Sequence, residues 1–301
     1  MNASRRTADT TWGPVSYLDT DAVGGDGDAP VALFVHGLGT SSLLWRNLVP
    51  LLQGTRRCVA PDLPLHGETP LHPDQPLSLP ALADVVLATA DALGVDRFDL
   101  VANDTGGAIA QVLTARAPHR VRTLTLTNCE AHDNLPPRAF LPTVLAARAG
   151  LLARLGPRLV RDTPKARRRV YGMGYQDVSV LPEAVVEAWV RPVLGTRERA
   201  REFQRFVLSL RADDLLAVEP QLRRLTVPTL VAWGTDDRFF HRRWAEWLVE
   251  TIPGAAGVAW IEDGRLFFPD ERAADLAPAV LRHWAATPAG TRSPPQDVRG
   301  T

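Results

Sequence analysis

Cysteine is nearly missing from this chain of 301 residues, and the two present, Cys58 and Cys129, lie in the apolar runs RRCVAPDL and LTLTNC. A free thiol in such a run packs as a small hydrophobe, so the sequence argues against a disulfide framework and for a reducing compartment. An excess of charge of either sign is missing too. Thirty-four basic residues balance 34 acidic ones, which leaves no electrostatic footprint for nucleic acid or for an anionic membrane. Lysine is reduced to Lys165 alone, a bias that reads as GC-rich coding rather than as arginine chemistry. No run of about 18 apolar residues is available to cross a bilayer, and MNASRRTADT lacks the apolar stretch of a secretory signal. The expectation is a cytoplasmic protein, monomeric or homodimeric, acting on a small, fairly neutral molecule without a cofactor or a metal.

What is present is a strand–helix rhythm with one long interruption. At 45% hydrophobic residues, the chain can bury the core of one large α/β domain with a sizeable insertion. Strands are expected over 12–19 and 31–36, around the acidic turn GGDGDAP. Counting twelve positions from Asp19 puts Pro30 where a calcium loop needs a bidentate Glu, so a solvated hairpin turn is expected instead. VALFVHG (31–37) is continuously apolar, as a central parallel strand buried on both faces should be. A helix at about 42–53, the strand CVAPDL, a helix over 78–93, a strand over 98–103, a helix over 107–117 and a strand over 121–129 follow. Such alternation implies a parallel sheet with right-handed crossovers. From Asn134 to about Leu222 the strands stop, and helices are expected over 138–155, 157–169, 182–193, 196–210 and 213–223. The sheet resumes with TLVAWG (229–234), a helix over 241–252, a strand over 257–263 and a helix over 272–286, before a disordered tail rich in Pro, Gly and Ser. The expected division is therefore a core of 1–133 with 223–287, a helical insertion of 134–222 and a tail of 288–301.

The chemistry centres on Phe98–Ala108, FDLVANDTGGA, an apolar strand that ends in an acid followed by small residues. A sharp strand-to-helix turn pushes one side chain out at the top of a sheet and needs small neighbours. Ala102-Asn103-Asp104-Thr105-Gly106 fits that small-x-nucleophile-x-small pattern with an aspartate as the nucleophile, and no G-x-S-x-G occurs. The plain alternative is that Asp104 caps the following helix. With Asp104 in this slot the sequence resembles the α/β-hydrolase superfamily, and within it the aspartate-nucleophile branch of haloalkane dehalogenases and epoxide hydrolases. The resemblance covers nearly the whole chain. It implies an α/β-hydrolase fold, a mostly parallel sheet with helices on both faces, and an all-helical cap over the elbow.

The resemblance also implies roles for particular residues. His36-Gly37-Leu38-Gly39-Thr40 resembles the branch's oxyanion loop, in which the backbone N–H groups of Leu38 and Thr105 would hold developing negative charge. His36 would support that loop beside the substrate pocket, and His66, in Pro64-Leu65-His66-Gly67, would be structural. Trp233-Gly234-Thr235-Asp236-Asp237 is similar to the acid loop, with Asp237 as the matching acid. Some dehalogenases carry the acid after the next strand instead, where Thr127-Asn128-Cys129-Glu130 offers Glu130; a loop carboxylate bonded to backbone amides is the alternative there.

The histidine is where the pattern fails, because Leu266 occupies its slot in Glu262-Asp263-Gly264-Arg265-Leu266-Phe267. A leucine cannot accept a proton, so an ester on Asp104 would have no obvious route to hydrolysis. His132 and His241, on loops at the strands' C-terminal ends, could reach a site water or could simply face the cap or the surface. Alternatively Asp104, Asp237 and Glu130 form a carboxylate cluster whose like charges push one acid toward its neutral form. That pair would suit a lyase, isomerase, cyclase or decarboxylase of a biosynthetic pathway. A catalytically inactive binding module is the third reading. Thr105 and Leu38 stand where dehalogenases hold the halide, which speaks against dehalogenation. Tyr171 and Tyr175 are either cap tyrosines that protonate an opening epoxide or packing residues. Hydrolysis of an epoxide or a related C–O or C–halogen bond comes first, and the acid/base reading second.

Overall fold

The computed structural model describes residues 3–20, 29–72 and 74–287. Eight strands, β1 (Ser4–Thr10), β2 (Gly13–Asp19), β3 (Val31–Val35), β4 (Arg57–Pro61), β5 (Phe98–Asn103), β6 (Val121–Thr127), β7 (Thr229–Gly234) and β8 (Ala255–Ile261), form one sheet in the order β1-β2-β4-β3-β5-β6-β7-β8. β1 and β2 run antiparallel, and β3 to β8 are parallel. Every residue of β5 and β6 is buried, as central parallel strands covered on both faces require.

The helices of eight residues or more are α1 (Leu79–Ala92), α2 (Thr105–Arg116), α3 (Leu141–Arg148), α4 (Leu151–Val160), α5 (Glu183–Leu194), α6 (Arg197–Ser209), α7 (Ala212–Leu222), α8 (Arg242–Thr251) and α9 (Ala273–Ala286). From β3 the chain steps one way to β4, then back across β3 to β5 and on to β6. Because parallel crossovers are right-handed, opposite steps place their helices on opposite faces. α1 and α2 therefore share one face, where they pack together, and the short helix Val49–Leu52 lies on the other against α9. The reversal at β3 opens a crevice at the C-terminal ends of β3 and β5, which is where open α/β sheets bind ligands.

Several expectations need correction. β2 pairs with β1 and β4, not with β3, so the acidic segment does not join a hairpin; residues 21–28 of it lie outside the described residues. Asp19, the first residue of the calcium count, is buried with its carboxylate on Arg57 at 2.6 Å. The helix at 42–53 is two pieces, Ser42–Trp45 and Val49–Leu52, the second starting around Pro50, whose missing N–H suits a first turn. In the long helical stretch the break falls at Gly150, in the left-handed region at φ 71°, rather than near Pro157, which lies inside α4. The tail, 288–301, lies outside the described residues. Between β6 and β7 the described chain has helices and turns only. α3, α4, α5 and α6 pack on one another around a small apolar core of Val144, Ala147, Leu194 and Phe203, into which Leu65 reaches from the loop after β4.

Candidate active site

β5 ends at Asn103, and Asp104 follows at φ 55°, ψ −138° before α2 begins. A non-glycine residue at positive φ is strained by on the order of 1–3 kcal/mol and persists only where its surroundings hold it. Here the Asp104 N–H donates to the Asn128 carbonyl at 2.9 Å, and the Asp104 carbonyl accepts from the Gly107 N–H at 2.7 Å. Two glycines make the turn possible. A Cβ at Gly106 would stand 2.3 Å from the Val35 carbonyl oxygen, and one at Gly37 would stand 2.1 Å from Asp104 Oδ2. The carboxylate thus lies directly against the backbone of the loop after β3, where the Leu38 N–H donates to Oδ2 at 2.9 Å and the Thr105 N–H is a second donor. Gly37→Ala should rotate the carboxylate off those donors. The expected result is a loss of about 100-fold in turnover, the usual scale for losing an oxyanion donor, with a stability cost of about 1–3 kcal/mol; steady-state kinetics and thermal unfolding check the pair.

Glu130 is 3% exposed. Its Oε1 accepts from the Thr105 hydroxyl at 3.2 Å, and Oε2 has no hydrogen-bond partner among the described residues. Burial, and then the neighbouring Asp104 charge, push the Glu130 carboxyl well above the ordinary range. Burial raises Asp104 from its ordinary 3.8 to about 7, against the opposing pull of the Thr105 and Leu38 N–H groups. Two buried carboxyls, both raised above the ordinary range, therefore share one wall, where like charge favours a proton on one of them. The Leu266 carbonyl is fixed by Asn103 Nδ2 at 3.0 Å, and Leu266 lines the same cavity as Asp104.

The remaining candidates fall elsewhere. Asp237 is buried at the end of β7 and holds three donors: the Phe239 and Phe240 N–H groups at 2.6 and 3.0 Å and the Asn128 amide. Asn128 also accepts from the Gly234 N–H at 2.8 Å, so it ties β6 to the acid loop and occupies the carboxylate that would otherwise orient an imidazole. Burial raises Asp237 to about 6, but it does not line the cavity. His36 does not line it either, contrary to expectation. The ring is fully buried, with Nε2 accepting from the Leu63 N–H at 2.9 Å, and burial lowers its pKa. His132 is also displaced from the expected role: its Nδ1 is 2.7 Å from Glu219 of α7, and its ring stacks on Trp247. His241 is exposed at the N-terminus of α8 and away from the cavity. Tyr171 lines the cavity, but its hydroxyl donates to the Gly39 carbonyl at 2.7 Å. Tyr175 donates to Asp270 at 2.8 Å outside it. Asn128 carries no signal in a single sequence, and neither does the bond from the Gly39 N–H to His66 Nε2 at 3.0 Å that braces the loop after β3.

The cavity holds about 480 Å³ between the C-terminal ends of the strands and the helical stretch. Its floor is Asp104, Thr105, Glu130 and Leu38, and its walls are apolar side chains such as Phe140, Leu159 and Phe267. That volume suits a medium-sized organic molecule.

A reversing parallel sheet, an acid at a positive-φ elbow and two backbone donors facing it define an α/β-hydrolase architecture. The family model described as the alpha/beta hydrolase fold matches residues 30–271, and the chain belongs to that family. Among curated relatives, a haloalkane dehalogenase of Bradyrhizobium diazoefficiens is 39% identical over 119 residues, 40% of this chain and 37% of that protein. The alignments span between 33% and 40% of the first curated relatives' lengths. A longer match, 28% identical over 274 residues, covers 86% of this chain and 83% of a cis-3-alkyl-4-alkyloxetan-2-one decarboxylase of Shewanella oneidensis. In fold, the chain is similar to a haloalkane dehalogenase from Bradyrhizobium elkani, with a TM-score of 0.76 at 25% identity over 94% of this chain and 99% of that one.

Proposed function

We propose that this protein opens a strained C–O ring, an epoxide first of all, with Asp104 as nucleophile, Glu130 as proton donor and acceptor, and the helices of 134–222 as a cap. The observation that carries this reading is the juxtaposition of Asp104, held by Leu38 and Thr105, with a buried Glu130 whose Oε2 has no partner among the described residues and whose carboxyl is pushed by burial toward its protonated form. The Asp104 carboxylate attacks a ring carbon, the C–O bond breaks, and the ring oxygen takes the Glu130 proton. Glu130, now a carboxylate of raised basicity, removes a proton from water. The hydroxide attacks the ester carbonyl, whose oxyanion sits against the Leu38 and Thr105 N–H groups. The alkoxide leaves with the proton from Glu130, and the Asp104 carboxylic acid so formed returns its proton to Glu130, giving a diol, the Asp104 carboxylate and protonated Glu130. A bound halide would meet no tryptophan or asparagine on this floor, where Thr105 and Leu38 stand, so a C–halogen substrate fits less well.

The Shewanella relative, aligned over 86% of this chain, supports a second reading: decarboxylation of a dialkyl oxetan-2-one. Asp104 attacks the ring carbon bearing oxygen and releases a carboxylate. The C–C bond to that carboxylate then breaks, carbon dioxide departs, and the electron pair forms an alkene as Asp104 is expelled. No base is needed. Incubation with alkyl oxiranes and with 3,4-dialkyl oxetan-2-ones tests both: diols support the first reading, alkene with carbon dioxide the second, and neither product nor adduct contradicts both. For the first reading kcat/KM should rise about tenfold per pH unit up to about 7 as Asp104 ionises, and fall again where Glu130 loses its proton. A pH profile flat from 5 to about 8 would contradict it.

A further inference from the structure

The chain is neutral as a whole, but its charge is unevenly placed. Residues 138–169 hold nine basic residues and one acid, Asp162, leaving 25 basic against 33 acidic residues elsewhere. Arg148, Arg154, Arg158, Arg161, Arg168 and Arg169 are exposed, and none of them forms an ion pair among the described residues. The same stretch and the turn that follows it expose large apolar side chains. Leu145 is 61% exposed, Leu151 and Leu155 each 41%, and Met173 41%.

Spacing puts these groups side by side. Leu141, Leu145 and Arg148 fall on one outer face of α3, and Leu151, Leu155 and Arg158 on one face of α4. Leu151, Leu155, Val170 and Met173 also line the cavity, so the exposed apolar rim is the mouth of the site. Among the described residues no single helix is long and apolar enough to cross a membrane, and the pair Arg138–Arg148 and Leu151–Val160 is bent by 108°. Such a pair can lie in an interface with its leucines down and its arginines at headgroup level.

We infer that this rim docks on an anionic lipid surface, with the cavity mouth facing the acyl chains, so that an apolar substrate enters from the bilayer. The charge decides between occupants. A second copy docked by the same face would bring equal positive charge against this one, and nucleic acid would gain nothing from exposed leucines in place of stacking aromatics. Anionic lipid complements both the arginines and the leucines. The inference does not depend on the chemistry at Asp104, because docking is read without turnover.

The test is flotation of the full chain with phosphatidylcholine vesicles, with and without about 30 mol% phosphatidylglycerol, at low salt and at about 0.5 M salt, where exposed charges are screened. Binding should require the anionic lipid and weaken at high salt. Arg154→Gln with Arg158→Gln should lower partitioning about 30-fold, as each basic side chain contributes about a factor of five at an anionic surface. Leu145→Gln, outside the cavity, should also weaken it, and both variants should keep the parent unfolding midpoint. Equal binding to neutral vesicles, no binding at low salt, or unchanged binding by the arginine variant would overturn the inference. So would retention on duplex DNA, or a Leu145-dependent dimer, in place of vesicle binding.

Discussion

Glu130→Gln is expected to arrest the reaction on the enzyme. After incubation with an alkyl oxirane, intact mass should rise by the mass of the oxirane, the adduct should map to the peptide containing Asp104, and turnover should fall by about 10²–10⁴-fold, the scale of a lost acid/base group. The two steps depend on Glu130 unequally. Ring strain helps drive the first, and a glutamine amide can still donate a hydrogen bond to the opening oxygen. The second needs a base for water, and Leu266 supplies none at the position where an imidazole would stand. His132 is held by Glu219, and His241 does not reach the cavity, so neither should rescue the variant. Turnover unchanged from the parent would remove Glu130 from the chemistry.

Asp104→Asn should abolish turnover and raise stability at the same time. An amide is a poor nucleophile, and a loss of about 10⁴-fold or more is expected for a residue that forms the covalent intermediate. The stability gain follows from the raised carboxyl. Asp104 titrates near 7 in the folded protein against 3.8 ordinarily, so the folded state binds its proton more tightly than the unfolded chain. Its contribution is fully present below about pH 4 and is lost as pH rises through 7. At pH 8 the parent therefore carries a buried charge that costs about 4 kcal/mol, and the asparagine variant does not. The variant should unfold roughly 8 °C higher at pH 8, given about 2 °C per kcal/mol in a large chain, and should lose that advantage toward pH 4. An unfolding midpoint lowered at pH 8 would contradict the electrostatics of the site.

The elements most visible in the sequence are those whose pattern reports burial. β3 is a continuous apolar run, β5 and β6 are strand-length segments rich in apolar and β-branched residues, and the turn at Asp104 is marked by the small residues that its close approach to Val35 and Gly37 demands. β1 is invisible for the opposite reason: in SRRTADT only Ala8 is buried, and a strand lying at the sheet edge with exposed polar side chains has no periodicity to read. The pairing of β2 was hidden too, since strand order is set by long-range contacts. Within the site, the small-residue turn marked Asp104 and the family resemblance pointed to Leu38, Thr105 and Leu266, all of which reach the cavity. Neither the pattern nor the resemblance could say that His36 and His132 are spent on other partners, nor that Asn128 occupies Asp237. Those facts depend on which neighbour donates to which acceptor across separate loops. Charge balance summed over the whole chain was the least informative quantity, because it averaged a basic, apolar rim against an acidic remainder.

The central claim is covalent catalysis by Asp104, and the direct measurement is a single turnover with excess enzyme in H₂¹⁸O. Attack of water on the ester carbonyl places ¹⁸O in the Asp104 carboxylate, while the product diol carries the unlabelled oxygen that Asp104 supplied. Covalent catalysis should give a peptide containing Asp104 heavier by the ¹⁸O–¹⁶O difference and a diol with no label from the first turnover. A labelled diol with unlabelled Asp104 would mean that water attacks the substrate directly, and would contradict it.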